Sequence, residues 1–231
     1  MDKKYESLFT PWKIGNVEIK NRIVLCPMGG TSIFGWMEPH HFDKDAADFF
    51  MDLAKNNVGL IIPGIAPIRN LIGNGWLYKA KGAFKKLKPY MEEFHKTGAK
   101  MFIQLTAGFG RSFSIPNSMV PMLKNKFLGT LVKPIFDVSR LCASPSELPS
   151  RWAEGVKCRA ITKKEIKQMI EAFAKTAKFE FLNTFETSHI SIGFLKSGLS
   201  VPYLSIESQY LILGNGYSLI FLSGLNVLNV L

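Results

Sequence analysis

Cysteine is scarce in this chain. Cys26, Cys142 and Cys158 are the only three in 231 residues, they have no metal-ligand spacing, and they cannot all pair. A disulfide scaffold and a zinc ribbon are therefore excluded, and the pattern fits a reducing, cytoplasmic compartment. The first residues, MDKKYESLF, lack the apolar core of a signal peptide. Acidic side chains are also short, 18 against 29 basic, for a formal charge of +11. That excess suits an anionic ligand or a phosphate group. It does not argue for a nucleic-acid partner, because most lysines fall on what read as solvated helix faces and no recognition motif accompanies them. No strand is followed by a G-x-G-x-x-G turn, so a dinucleotide-binding sheet has no support. Apolar residues are what the chain has in quantity. They make up 47% against 20% charged, which excludes a disordered chain. A chain of this length buries roughly 70% of its unfolded surface on folding.

Charge is unevenly spread. Residues 1–178 hold 28 basic and 15 acidic residues, a net of +13, whereas residues 179–231 hold only Glu180, Glu186, Glu207 and Lys196, a net of −2. The break divides the chain into a first segment, 1–178, and a low-charge tail, 179–231. Three readings of the tail stand side by side: translation out of frame, a divergent continuation, or a membrane anchor over Leu211 to Leu231. The last is uncharged and about long enough to span a bilayer, though its asparagines and glycines make a poor transmembrane helix.

The first segment alternates strand and helix signals. Trp12-Lys13-Ile14 and Val17-Glu18-Ile19 alternate apolar and polar around Gly15-Asn16, which predicts a hairpin. Three short apolar runs follow: Arg22 to Met28, Val58 to Pro63 and Met101 to Leu105. Each reads as a strand buried on both faces. Between them lie helices over Asp43 to Lys55 and Leu87 to His95, the second with Gly98 past its end. A long loop is expected from Thr106 to about Ala160, and loops of that length are usually functional. Thr162-Lys163-Lys164-Glu165 then forms a capping box. Ile166, Met169, Ile170, Phe173, Ala174 and Ala177 make one apolar stripe behind it. Buried strands alternating with amphipathic helices imply an α/β fold with a parallel sheet. The expected architecture is the N-terminal portion of a (β/α)8 barrel, incomplete, with an N-terminal β-hairpin; a doubly wound sheet is the alternative.

In such a barrel ligands bind where the strands end. Those ends are Cys26 to Thr31, Pro63-Gly64-Ile65 and Gln104-Leu105-Thr106. Pro27 fixes its own φ, and the glycines after it let the backbone approach a ligand. Gln104 can donate and accept at once, which matches a ring presenting an N–H beside a C=O. A structural hydrogen bond is the more common use of such a Gln, and a Pro-Met-Gly-Gly turn is usually only a turn.

These residues carry a resemblance. Leu8-Phe9-Thr10-Pro11, Lys13-Ile14-Gly15, Lys20 to Val24 and Pro27-Met28 resemble the opening of the Old Yellow Enzyme family of FMN-dependent NADH:flavin oxidoreductases. Ile103 to Arg111 resembles that family's third strand and loop. Pro149 to Trp152 and Cys158 to Thr162 resemble the segment leading into its third helix. The form Gln-Leu-Thr-Ala-Gly-Phe-Gly-Arg is most similar to the branch of 2-enoate reductases, 2,4-dienoyl-CoA reductases and bile-acid-inducible steroid oxidoreductases. The resemblance implies FMN over the barrel mouth and NADH or NADPH as hydride donor. It implies an activated alkene as the small-molecule substrate: an enoate, an enoyl-CoA or an unsaturated 3-oxo steroid. Pro27 and Met28 would line the flavin. Gly29 stands where some relatives carry a flavin-contacting Cys, Ile65 would offer its amide to a flavin carbonyl, and Gln104 would bond the pyrimidine edge. Arg111 is a substrate-side candidate. The fourth strand of the family carries a Glu and a His pair, and after Lys178 only His189 is present, in a different setting. The chain is therefore expected to be truncated, with an iron–sulfur cluster and FAD belonging only to a full-length parent. The competing reading is a non-catalytic half-barrel that binds a partner or associates with a membrane. Homo-oligomerisation is left open.

Overall fold

The computed structural model of the chain describes residues 3–192, apart from 15–16, 37, 71, 74, 109, 113–116, 133–139, 141–142 and 185–188, and then residues 208–213 and 217–222. A 3-10 turn, Lys3–Phe9, leads into strands β1 (Trp12–Ile14) and β2 (Val17–Ile19). They pair antiparallel with Ile14 opposite Val17, the hairpin expected from the alternation. Val17 and Ile19 are buried while Glu18 is exposed, and the two apolar side chains pack with Leu60 and Phe102.

Next come β3 (Val24–Leu25), α1 (Lys44–Lys55), β4 (Leu60–Ile61), β5 (Ala66–Pro67), α2 (Lys81–Lys96) and β6 (Lys100–Thr106). The α1 helix starts where Asp43 accepts a hydrogen bond from the Ala46 amide at 3.0 Å, a cap for an otherwise orphaned donor. It buries Ala47, Phe50 and Ala54. The α2 helix begins at Lys81, six residues before the expected Leu87. Ala83 and Phe84 extend the buried stripe backwards, whereas Gly82 and an interior Pro89 disguise it. Pro89 is exposed, so the hydrogen bond it cannot donate is lost on the side that water can satisfy.

Strands β3, β4 and β6 are parallel neighbours, with Val24 beside Leu60 and Leu60 beside Lys100. Their order in space follows their order in the chain. Side chains alternate along β6. Met101, Ile103 and Leu105 pack outward in one cluster with residues of α1, α2 and the later helix α5 (Lys163–Thr184). Phe102 packs the other way, on the hairpin. All three long helices thus cover one face and the hairpin closes the other, as in a barrel wall and unlike a doubly wound sheet.

Between β6 and α5 the chain is not one irregular loop. It holds the short helices α3 (Val120–Lys124) and α4 (Lys126–Val132) and the parallel pair β7 (Ala143–Ser144) and β8 (Arg159–Ala160). Lys178 is not an element boundary, for α5 runs on to Thr184. Strand β9 (His189–Ile192) then lies parallel to β6, with His189 opposite Phe102 and Ser191 opposite Gln104. It takes the fourth parallel position. Strands β10 (Ser208–Leu213) and β11 (Tyr217–Leu222) form an antiparallel hairpin whose β11 is parallel to β9. The stretch Leu211 to Leu231, read above as a possible membrane anchor, is strand where the structure describes it. Residues 211–213 and 217–222 are extended, and among the described residues no helix is long and apolar enough to cross a membrane. Residue pairs that are close in a hairpin satisfy backbone groups across strands, which an isolated spanning helix would satisfy internally. The remainder of the proposed anchor lies outside the described residues.

Candidate functional site

The sheet has a discontinuity where the strands end. Ile61 stands opposite Met101, but Ala66 stands opposite Leu105. One more residue is therefore fitted on the β4–β5 side than on β6, and Pro63-Gly64 occupies the place. The shift brings Ile65 level with Gln104. Ile65 is buried.

Gly64 presses against the first strand's turn. A Cβ at Gly64 would lie 2.2 Å from the Met28 carbonyl oxygen, so only glycine fits. The Thr31 hydroxyl donates to that same carbonyl at 2.9 Å, and the Gly64 amide donates to the Thr31 carbonyl at 3.1 Å. The turn Pro27-Met28-Gly29-Gly30 is thus held at the edge of β4–β5. Pro27 and Gly29 are exposed, and Met28 is 43% exposed. A Cβ at Gly29 would meet nothing within 4 Å, so the space above the turn is empty. Met28, Gly64, Ile65 and Gln104 form one row across the strand ends, three of the predicted site residues among them.

Gln104 alternates with Ile103 and Leu105 and so leaves the helix-facing side, where they are buried. Its Oε1 is buried and accepts no hydrogen bond. Such an orphan costs about 1–3 kcal/mol, and native folds rarely leave one without reason. A carboxamide with an unused acceptor, behind an exposed glycine turn and a close-packed Gly64, fits the N–H and C=O edge of a flavin's pyrimidine ring. These residues fit that edge of FMN on chemistry and space.

Arg111 stands five residues beyond the end of β6, in the turn Gly110–Ser112. Its carbonyl accepts from the Arg151 amide at 2.9 Å, and its own Nε is buried without a partner. Its place is past the row rather than in it.

Two residues near the mouth were not anticipated. His40 places Nε2 2.7 Å from the Pro67 carbonyl. Burial holds its pKa below the ordinary histidine value, so at neutral pH the neutral ring donates from Nε2 to that carbonyl. It ties the loop before α1 onto β5. Asn70 is buried, donates to the Glu38 carbonyl at 3.2 Å, and leaves its Oδ1 unpaired. Neither signals itself in sequence, for a lone histidine or asparagine in a loop has no periodicity. Cys26 is exposed beside the turn and Cys158 is buried; Cys142 lies outside the described residues. Among the described residues no three His, Cys, Asp or Glu side chains gather as metal ligands.

Comparison with known proteins bears on the family and the fold. The family model for NADH:flavin oxidoreductase / NADH oxidase matches residues 7–180. The chain is 32% identical over 215 residues to cinnamate reductase of Clostridium sporogenes, a match covering 89% of this chain and 29% of that protein. That share exceeds what residues 1–180 contain, so the match continues into the tail. Among solved structures, histamine dehydrogenase from Rhizobium sp. 4-9 superposes with a TM-score of 0.54 at 22% identity, over 82% of this chain and 24% of its own. The old yellow enzyme homologue from Zymomonas mobilis gives 0.52 at 20%, over 80% and 48%. Old Yellow Enzyme from Pichia sp. AKU4542 gives 0.53 at 24%, over 80% and 45%. At these identities the structures speak for the fold alone. The chain spans less than a third of the curated relative and no more than about half of these structures.

Proposed function

The chain belongs to the NADH:flavin oxidoreductase / NADH oxidase family, and from that premise we propose that its strand ends serve an FMN-dependent ene-reductase. Bound FMN would supply the hydride chemistry, taking hydride from NADH or NADPH and passing it to an activated alkene. The similarity to a cinnamate reductase favours an enoate as that alkene over an enoyl-CoA or an unsaturated 3-oxo steroid.

The chain's own residues would bind and orient. Gln104 would accept from the ring N–H through Oε1 and donate to an adjacent carbonyl through Nε2. Ile65, level with it, would offer its backbone amide. Pro27 and Met28 would form the rim of the ring's bed, and the empty space over Gly29 would let the ring approach. The iron–sulfur cluster and FAD are proposed for a longer parent alone.

The observation that carries this reading is the unpartnered, buried Oε1 of Gln104 at the strand ends. FMN titration tests it, followed by quenching of flavin fluorescence on addition of the chain. Saturable quenching is expected, weakened about tenfold by Gln104→Leu, the loss of one to two hydrogen bonds. Absence of quenching by the unaltered chain would overturn the reading.

A further inference from the structure

Helix α2 carries its charge against the usual rule. Residues 53–91 contain seven basic side chains and no acidic one. Five of the seven are the exposed lysines Lys79, Lys81, Lys85, Lys86 and Lys88, on the 3-10 turn Leu77–Lys79 and the first half of α2. A helix start bears partial positive charge and favours acids. The starts of α1 and α5 follow this, with Asp45 and Glu165 in their first turns. The first turn of α2 holds no acid, and Ala80 ahead of it gives no side-chain cap. Lys81, Lys85 and Lys88 recur at i, i+4 and i+7 and so share one outward stripe, opposite the buried Ala83, Leu87 and Phe94. The first acid on that stripe is Glu92, one turn past Lys88.

Like charges at that spacing repel. Elsewhere the chain neutralises exposed lysines locally: Lys44 pairs with Asp48, Lys96 with Glu93 and Lys175 with Glu171. Among the described residues none of the five makes an ion pair. An extended anionic partner would relieve the repulsion, and the composition of the face narrows which kind. Single-stranded nucleic acid stacks its bases on open aromatic rings. Tyr78, beside the lysines, is half-buried, with the Lys79 and Lys175 Nζ atoms 5.9 and 5.7 Å from its ring centroid. Protein interfaces are poor in lysine and centre on aromatic or arginine anchors, whereas α2 contains no arginine and exposes no large apolar side chain. Anionic headgroups need neither anchor nor fork. Each lysine meets them as a point charge on a long flexible stem.

We propose that the outer face of α2 adsorbs to an anionic lipid bilayer through Lys79, Lys81, Lys85, Lys86 and Lys88. The attachment is electrostatic, reversible and without insertion. It goes beyond the flavin reading above and does not depend on it.

The test is sedimentation of the whole chain with vesicles of phosphatidylcholine, alone or with about 30 mol% phosphatidylglycerol, at about 50 and about 500 mM salt. Binding to the anionic vesicles at low salt is expected, with release at high salt and no binding to phosphatidylcholine alone. Combined Lys81→Gln, Lys85→Gln and Lys88→Gln should weaken partitioning about 100-fold, at roughly fivefold per lysine. Combined Lys163→Gln, Lys164→Gln and Lys167→Gln, exposed on α5, remove the same charge and should weaken it by less than about tenfold. Circular dichroism reports whether each variant folds, and the comparison of lipid compositions and of salt needs no variant. Failure of the unaltered chain to bind anionic vesicles would overturn the proposal, as would an equal loss in the two folded variants. Salt-resistant binding to phosphatidylcholine would overturn it in favour of an apolar seat. Tighter binding to single-stranded DNA or to poly-L-glutamate, at equal negative charge and with the same dependence on α2, would overturn it in favour of a nucleic acid or an acidic protein.

Discussion

Gly29 and Gly64 show how differently two glycines at one mouth are used. Gly64 has no room for a methyl group, since the atom in the way is the Met28 backbone oxygen, which cannot swing aside as a side chain could. Gly64→Ala should cost about 1–3 kcal/mol through overpacking and should displace the Met28 turn. Gly29→Ala should change stability by less than about 1 kcal/mol, as surface changes away from special features do. Thermal unfolding of both variants checks the contrast. The sequence marks both glycines as equally suited to close approach, and only the packing separates them. Gln104 is the opposite case. Its place at a strand end was legible from the short apolar run Met101 to Leu105 that contains it, and its chemistry from the carboxamide's paired donor and acceptor. The lack of a partner for its Oε1 was not legible, since that depends on what the rest of the fold fails to bring near.

Helix α5 has the best-signalled start in the chain. The Thr162 amide donates to Glu165 Oε2 at 2.9 Å, and the Glu165 amide donates to Thr162 Oγ1 at 3.2 Å, the reciprocal pair that the spacing predicts. Sequence could not show the third member. Arg159, on β8, grips both oxygens of Glu165, at 2.6 and 2.9 Å. The hydrogen-bonded Arg159 guanidinium holds the Glu165 carboxyl down to about 2, from an ordinary 4.5. The sign follows directly. A carboxyl whose folded pKa is depressed stabilises the fold above its unfolded value and ceases to do so as pH falls through the folded one. Stability should therefore drop between pH 4.5 and about 2, and Glu165→Gln should flatten that part of the profile. Denaturant midpoints measured across that range test it, and a steep unaltered slope in the variant would contradict the assignment. The elements that sequence missed, α3, α4 and the β7–β8 pair, are too short to show a period, and α2 lost its first turn to Gly82 and Pro89. Helix caps and long stripes are local and repeat themselves; two-residue ladders such as β7–β8 are fixed by partners 16 residues away.

At the scale of the molecule, the sheet is ordered β3-β4-β6-β9-β11-β10, and β3 has no second neighbour among the described residues. Its short length and the adjacent Arg22 and Pro27 blunt an edge that would otherwise template association. Helix α4 has no such protection. Phe127 is 76% exposed and Leu131 69%, one turn apart on the same face. Exchanging both for Ser should leave stability within about 1 kcal/mol. It should reduce fluorescence of a dye such as ANS and any concentration-dependent association seen by sedimentation. The barrel-like order was readable from sequence because buried runs and amphipathic stripes alternate. The placement of β9 was not, because the loss of charge near Lys178 masks a strand that continues the same parallel order.

The alternation along β6 has a consequence for how such a protein can change over time. Seven consecutive residues answer to two separate selective pressures. Ile103 and Leu105 are constrained by three helices and tolerate little change in volume, whereas Phe102 and Gln104 face away from them. A new ligand preference can thus be acquired at Gln104, while the odd positions, and Phe102 on the hairpin, preserve the scaffold. Deletion of a single residue within the strand would exchange the two sets, and would remove the scaffold and the site together.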